Sequence, residues 1–148
     1  MRGVVQRVSR ASVTADQVET GRIGPGMLLL LGISQEDGEK EISWMVEKVV
    51  NLRIFEDDRG KMNRSLLESG GSLLVVSQFT LYGDARKGRR PSYNRAAPPE
   101  RARELYRLFL EVAARQVPLG EGSFGDLMDI DADLDGPVTI LLDSAKQF

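Results

Sequence analysis

The chain has 148 residues, 41% hydrophobic and 28% charged, with 20 basic and 22 acidic side chains for a formal charge of -2. That length suits one domain, 1–148, able to bury its own core, and the composition lies far from that of disordered segments. The charge balance offers polyphosphate no overall attraction; the lack of cysteine removes disulfides and thiolate chemistry, and the lack of histidine removes the commonest general base and any Ser-His-Asp engine within one chain.

The opening Met1 to Arg7 lacks the apolar core of a secretory signal, and the longest apolar run, Met27 to Leu31, is too short for a bilayer, so a soluble cytoplasmic protein is expected. Alternation of Val4, Gln6 and Val8 toward Val13 predicts a strand from Gly3 to Ala15, and turn chemistry from Asp16 to Gly21 makes the opening a hairpin. After Gly24-Pro25-Gly26, the apolar run Met27 to Ile33 predicts a central strand covered on both faces. Glu39 to Arg53 sets Ile42, Met45, Val46, Val49 and Val50 at helical spacing, with acids early and Lys48 and Arg53 late, as the helix dipole favours. Ile54-Phe55 reads as a short strand, Asp57 to Gly60 as a turn, and Leu66-Leu67 as a brief helical turn ended by Gly70-Gly71. Ser72 to Leu81 is a second apolar strand. Pro98-Pro99-Glu100 opens a helix to Gln116 with Ala102, Leu105, Phe109 and Val112 on one face. Beyond Pro118, Asp135-Gly136 is expected to turn into Pro137 to Leu142 and close a terminal hairpin. Two main helices among roughly seven strands define an α+β fold dominated by sheet.

Ser77-Gln78-Phe79-Thr80-Leu81 brings hydroxyls and an amide to the end of a buried strand. Either those hydroxyls satisfy backbone groups where the strand ends, or N–H groups there form an oxyanion hole beside a hydroxyl-lined pocket; spacing does not separate the two. Arg86, Lys87, Arg89 and Arg90, with Gly88 and Pro91 among them, form a basic loop: a solvated charge run, or a patch for phosphates extended by Arg95 and Arg101. Gly136-Pro137 before Val138-Thr139 is an ordinary turn, or a cis X-Pro bond that aims neighbouring carbonyls in parallel. Asp126, Asp129, Asp131, Asp133 and Asp135 alternate in the tail without the pattern of a calcium loop, and alternation puts most of them on one solvated face, so neither metal nor cofactor is expected.

Ser77 to Leu81 and Gly136 to Thr139 resemble the SQFTL and GPVT motifs of the D-aminoacyl-tRNA deacylase family. The likeness extends to Gln6-Arg7-Val8, Ala11-Ser12-Val13, Gly60 to Asn63 with Ser65-Leu66, and Lys87-Gly88 with Arg90-Pro91-Ser92. It implies that family's fold and a homodimer in which a cis Gly136-Pro137 turn enters a pocket built by Ser77, Gln78, Phe79 and Thr80 of the other subunit. It further implies hydrolysis of the ester between a D-amino acid, or glycine, and the acceptor end of tRNA. The turn from Gly136 to Thr139 would exclude an L side chain, and Arg86, Lys87, Arg89 and Arg90 would hold the RNA. For the chemical step, Thr80 is the nucleophile, or the ribose 2′-hydroxyl assists water while N–H groups around Gln78 and Phe79 hold the oxyanion; the lack of a neighbouring base favours the second. Leu134 stands where the family has asparagine, and Gly83 where alanine is frequent. A noncatalytic RNA-binding module and a metal hydrolase using the tail aspartates are the alternatives.

Overall fold

A computed structural model describes residues 1–148. In chain order the elements are β1 (Arg2–Ala15), β2 (Val18–Ile23), β3 (Gly26–Gly32), α1 (Glu39–Asn51), β4 (Phe55–Glu56), β5 (Met62–Arg64), α2 (Leu66–Ser69), β6 (Ser72–Ser77), a 3-10 turn (Phe79–Tyr82), α3 (Pro99–Ala114), β7 (Leu119–Glu121) and β8 (Met128–Asp143). The expected sheet-rich α+β architecture holds, with eight strands and with α2 as a short third helix. No helix is long and apolar enough to cross a membrane.

β1 is the spine of the main sheet. β8 runs antiparallel along one edge of it, from Arg2↔Asp143 to Ala15↔Met128, while β3 and then β2 share the other edge. β3 pairs in parallel with β6, and β6 with β7. Side chains alternate across a strand, so β3 sends Met27, Leu29 and Leu31 to one face and Leu28 to the other. Onto the first face pack α1, through Ile42, Met45, Val46, Val49 and Val50, and α3, through Leu105, Tyr106, Phe109, Leu110 and Ala113. The second face is closed by the sheet itself, which curls so that Val8, Ala11, Val13, Ile23, Leu74 and Val76 gather on Leu28. Cover on both sides is what the unbroken apolar run requires.

Several boundaries differ from the sequence reading. The first turn is only Asp16-Gln17, at φ of 48° and 64°, a tight two-residue hairpin turn, so Val18 onward already belongs to β2. α1 stops at Asn51 because Leu52 is extended, and α3 stops at Ala114. β6 ends at Ser77: Gln78 N–H still donates to Leu31 O (2.8 Å), but β3 ends one residue later, and with no strand left to pair, Phe79–Tyr82 winds into the 3-10 turn. The terminal hairpin does not form. β8 continues along β1, and its register jumps from Val8↔Leu134 to Gln6↔Thr139, so Asp135–Val138 bulge out opposite Arg7. A partner strand as long as β1 offers hydrogen bonds on both sides of the interruption, which a local Gly-Pro signal does not reveal.

Candidate active site

An apolar cavity of about 550 Å³ opens where β3 and β6 end and α3 begins. Leu31 and Ile33 near the end of β3, Ala97, Pro99 and Ala102 at the start of α3, and Phe124 supply its apolar surface, and Ser77, Gln78 and Phe79 bring the strand end into it. A concave apolar pocket with few polar groups is the usual form of a small-molecule site. Phe79 is 58% exposed and meets Tyr93 edge to face at 5.1 Å, so an aromatic pair lies open beside the cavity. Tyr106 steadies the opposite wall: its hydroxyl donates to Val75 O at 2.9 Å and its ring tilts on Phe124 at 5.5 Å. Burial pushes the Tyr106 phenol up, which keeps it a neutral donor.

The polar groups of the strand end have defined partners. Gln78 N–H is engaged by Leu31 O and so is not free to meet an oxyanion, contrary to the sequence reading. Leu81 N–H donates to Gln78 O (3.2 Å) and Gly83 N–H to Thr80 O (2.9 Å), while the N–H groups of Phe79 and Thr80, first in the turn, have no partner within it. Gln78 Nε2 donates to Thr80 Oγ1, and no carboxylate is hydrogen-bonded to the hydroxyl of Ser77 or Thr80. The site therefore offers backbone donors and hydroxyls but no built-in base.

Gly136-Pro137 is a cis peptide, with Gly136 at φ 127°, and it lies exposed on the bulge of β8. None of residues 136–139 lines the cavity of its own chain. Val138 packs partly against the core and Thr139 pairs with Gln6, fixing the far side of the bulge. The near side is fixed by Arg7, a residue that sequence reasoning did not single out for the site. Arg7 Nε lies 2.9 Å from Asp135 Oδ2 and donates to Asp135 O (3.3 Å), and Nη1 donates to Ile54 O at 2.6 Å. An arginine on the buried row Gly3, Val5, Arg7 was the available signal, because a charge at an inward position requires a partner.

Arg86, Lys87, Arg89 and Arg90 all lie exposed on a loop closed by paired hydrogen bonds between Asp84 and Ser92, with Gly88 at φ 76°. Arg86 binds Asp84 at 2.5 Å and holds that carboxyl well below its usual range. Lys87, Arg89 and Arg90 form no ion pair, whereas Arg101 is paired with Glu104 at 3.3 Å. In the tail, Arg10 bridges Asp131 (3.0 Å) and Asp133 (2.8 Å), so these carboxylates face a guanidinium.

In a chain without histidine, the strand end beside this pocket presents backbone N–H groups and hydroxyls, the kind of groups that can receive a developing oxyanion. The family profile described as D-Tyr-tRNA(Tyr) deacylase matches residues 4–143. The chain is 56% identical to the D-aminoacyl-tRNA deacylase of Kosmotoga olearia over 148 residues, all of both chains, and 53% identical to that of Clostridioides difficile over 149 residues, again all of both. Among solved structures it superposes on the c-Myc DNA Unwinding Element Binding Protein with a TM-score of 0.93 at 44% identity, covering 97% of this chain and 99% of that one. It shares its fold with a probable eukaryotic D-amino acid tRNA deacylase, TM-score 0.82 at 18% identity, covering 95% and 97%. The chain belongs to the D-Tyr-tRNA(Tyr) deacylase family.

Proposed function

We propose that this chain is a D-aminoacyl-tRNA deacylase, which hydrolyses the ester joining a D-amino acid, or glycine, to the 3′ end of a tRNA, as a homodimer in the cytoplasm. Membership of the family, with relatives matched along their full length, supports this, and the observation that carries it is the strand end, Ser77–Phe79, lining an apolar cavity with Thr80 next in the chain.

Water adds to the ester carbonyl carbon, and the resulting oxyanion is received by the N–H groups of Phe79 and Thr80. Collapse breaks the bond to the ribose oxygen, which takes up a proton, and releases free amino acid and tRNA. The neighbouring ribose hydroxyl orients the water, the part that no histidine is present to play. Thr80 is not required as nucleophile, since its hydroxyl is held by Gln78 and no base reaches it.

Stereochemical selection is assigned to the Gly136-Pro137 bulge of the partner. The bulge is exposed, is anchored by Arg7, and does not reach the cavity of its own chain, so a twofold pair of chains is needed to bring the two together. The outer edge of β8 is unpaired, and Leu134 and Leu141 on it are 51% and 60% exposed, apolar surface suited to a second copy. The carbonyls of the bulge then occupy the space an L side chain would need, while a D side chain points away and glycine has none. Lys87, Arg89 and Arg90, with Arg86, contact backbone phosphates beyond the cavity.

Introducing Leu134→Glu and Leu141→Glu together tests the shared site. Both residues are exposed in the single chain, so the variant is expected to fold, to behave as a monomer in light scattering, and to lose turnover of D-tyrosyl-tRNA. A monomer that still hydrolyses the D ester and spares the L ester overturns the cross-subunit reading.

A further inference from the structure

Arg103 differs from the seven of the fifteen arginines that are ion-paired. Arg2, Arg7, Arg10, Arg22, Arg64, Arg86 and Arg101 are all ion-paired, whereas Arg103 takes part in no ion pair and donates no side-chain hydrogen bond. It is exposed, lines the cavity mouth on α3, and lays its guanidinium over the Phe124 ring at 4.8 Å. A cation–π contact of this kind holds the guanidinium over the ring face without engaging its N–H donors. On its own helix Glu104 is paired with Arg101, on the facing loop Asp126 accepts from Ser123, and Glu100, one turn before Arg103, forms no ion pair with it. Arg107, one helical turn further along the same face, is likewise exposed and without an ion pair. A preset cation with free donors at the lip of an apolar cavity is arranged for an anion that the cavity's occupant carries.

We infer that Arg103 binds the phosphodiester on the 5′ side of the terminal nucleotide, with Arg107 continuing the track for the RNA strand along α3. This rests on the deacylase reading above. The ester and that phosphate belong to the same ribose unit, so seating the ester at Phe79 and Thr80 carries the phosphate toward the rim, where Arg103 waits beside Phe124. The assignment places the 3′ strand on α3, on a surface separate from the Arg86 to Arg90 loop.

The test compares D-tyrosyl-tRNA with D-tyrosyl-adenosine, which has the same ester and ribose but no phosphate. For Arg103→Gln, KM on the tRNA is expected to rise about tenfold with kcat held, a loss at least about fivefold larger than on the adenosine ester. The dependence of log KM on log salt should become shallower by roughly 0.7, the share of one single-strand phosphate. Arg103→Lys keeps the charge and is expected to restore the salt slope while recovering only part of the affinity. Equal losses on both substrates, or an unchanged salt slope, overturn the assignment while leaving the deacylase reading intact. Failure of the unaltered protein on both substrates overturns that reading and the assignment with it.

Discussion

Replacing Arg7 with leucine removes the group that ties the β8 bulge to the rest of the fold. The Arg7 side chain is only 8% exposed, and it serves Asp135 on the bulge and the carbonyl of Ile54 together. Removing one partner of a wholly buried ion pair costs about 3–5 kcal/mol because a charge is stranded. Here the stranded carboxylate is 53% exposed and rehydrates, so that figure is an upper bound. What remains is a buried carbonyl without its donor, about 1–3 kcal/mol, offset in part by the leucine side chain filling the arginine's space. The expected loss is therefore about 2 kcal/mol, or roughly 4–8 °C in Tm for a chain of this size. Urea denaturation measures the first quantity, and the ratio of D- to L-tyrosyl-tRNA hydrolysis reads the second effect, a fall in discrimination as Gly136 and Pro137 lose their anchor. A variant that unfolds within about 0.5 kcal/mol of the unaltered protein and keeps its D/L ratio refutes the reasoning.

Other outcomes follow from the same geometry. Thr80→Ala is expected to keep D-tyrosyl-tRNA turnover within about tenfold, since the oxyanion donors are backbone groups; abolished turnover in a folded protein makes Thr80 the nucleophile instead. Gly26→Ala should fail to fold cooperatively, because the added Cβ falls 1.9 Å from the backbone oxygen of Ser72 where β3 and β6 pair, and soluble protein with an unchanged thermal transition contradicts this. Burial pushes the Tyr82 phenol up to about 12. A proton held more tightly in the folded state stabilises it fully below the unfolded tyrosine value, near 10, and that stability is lost as pH rises from about 10 to 12. Urea midpoints across that window should fall less steeply in Tyr82→Phe than in the unaltered protein, and parallel curves count against the shift.

Long-range pairing separates what the chain declares from what it conceals. Met27–Leu31 could be read as a central strand because every residue in the run is apolar, and the spacing of Ile42, Met45, Val46, Val49 and Val50 shows one face of α1. Pro98-Pro99 likewise marks the start of α3. The bulge was hidden because Asp135-Gly136-Pro137 carries the local chemistry of a hairpin turn, and only β1, over a hundred residues earlier in the chain, keeps β8 running straight past it. Similarly, the end of β6 is set by where β3 stops, so the polar residues of Ser77–Leu81 were visible while their 3-10 geometry, and the engagement of Gln78 N–H by Leu31 O, were not. In the basic loop, composition showed four cations but not that Asp84 neutralises Arg86. Arg103 escaped notice because its meaning depends on Phe124, a neighbour only in space.

The account turns on stereospecific ester hydrolysis, and release of tyrosine from D-tyrosyl-tRNA and L-tyrosyl-tRNA by the purified protein tests it most directly. Rapid loss of the D ester with the L ester spared is the predicted result. Equal rates on the two esters contradict the part given to Gly136-Pro137, and loss of neither by a folded dimer that binds the RNA contradicts the deacylase reading as a whole.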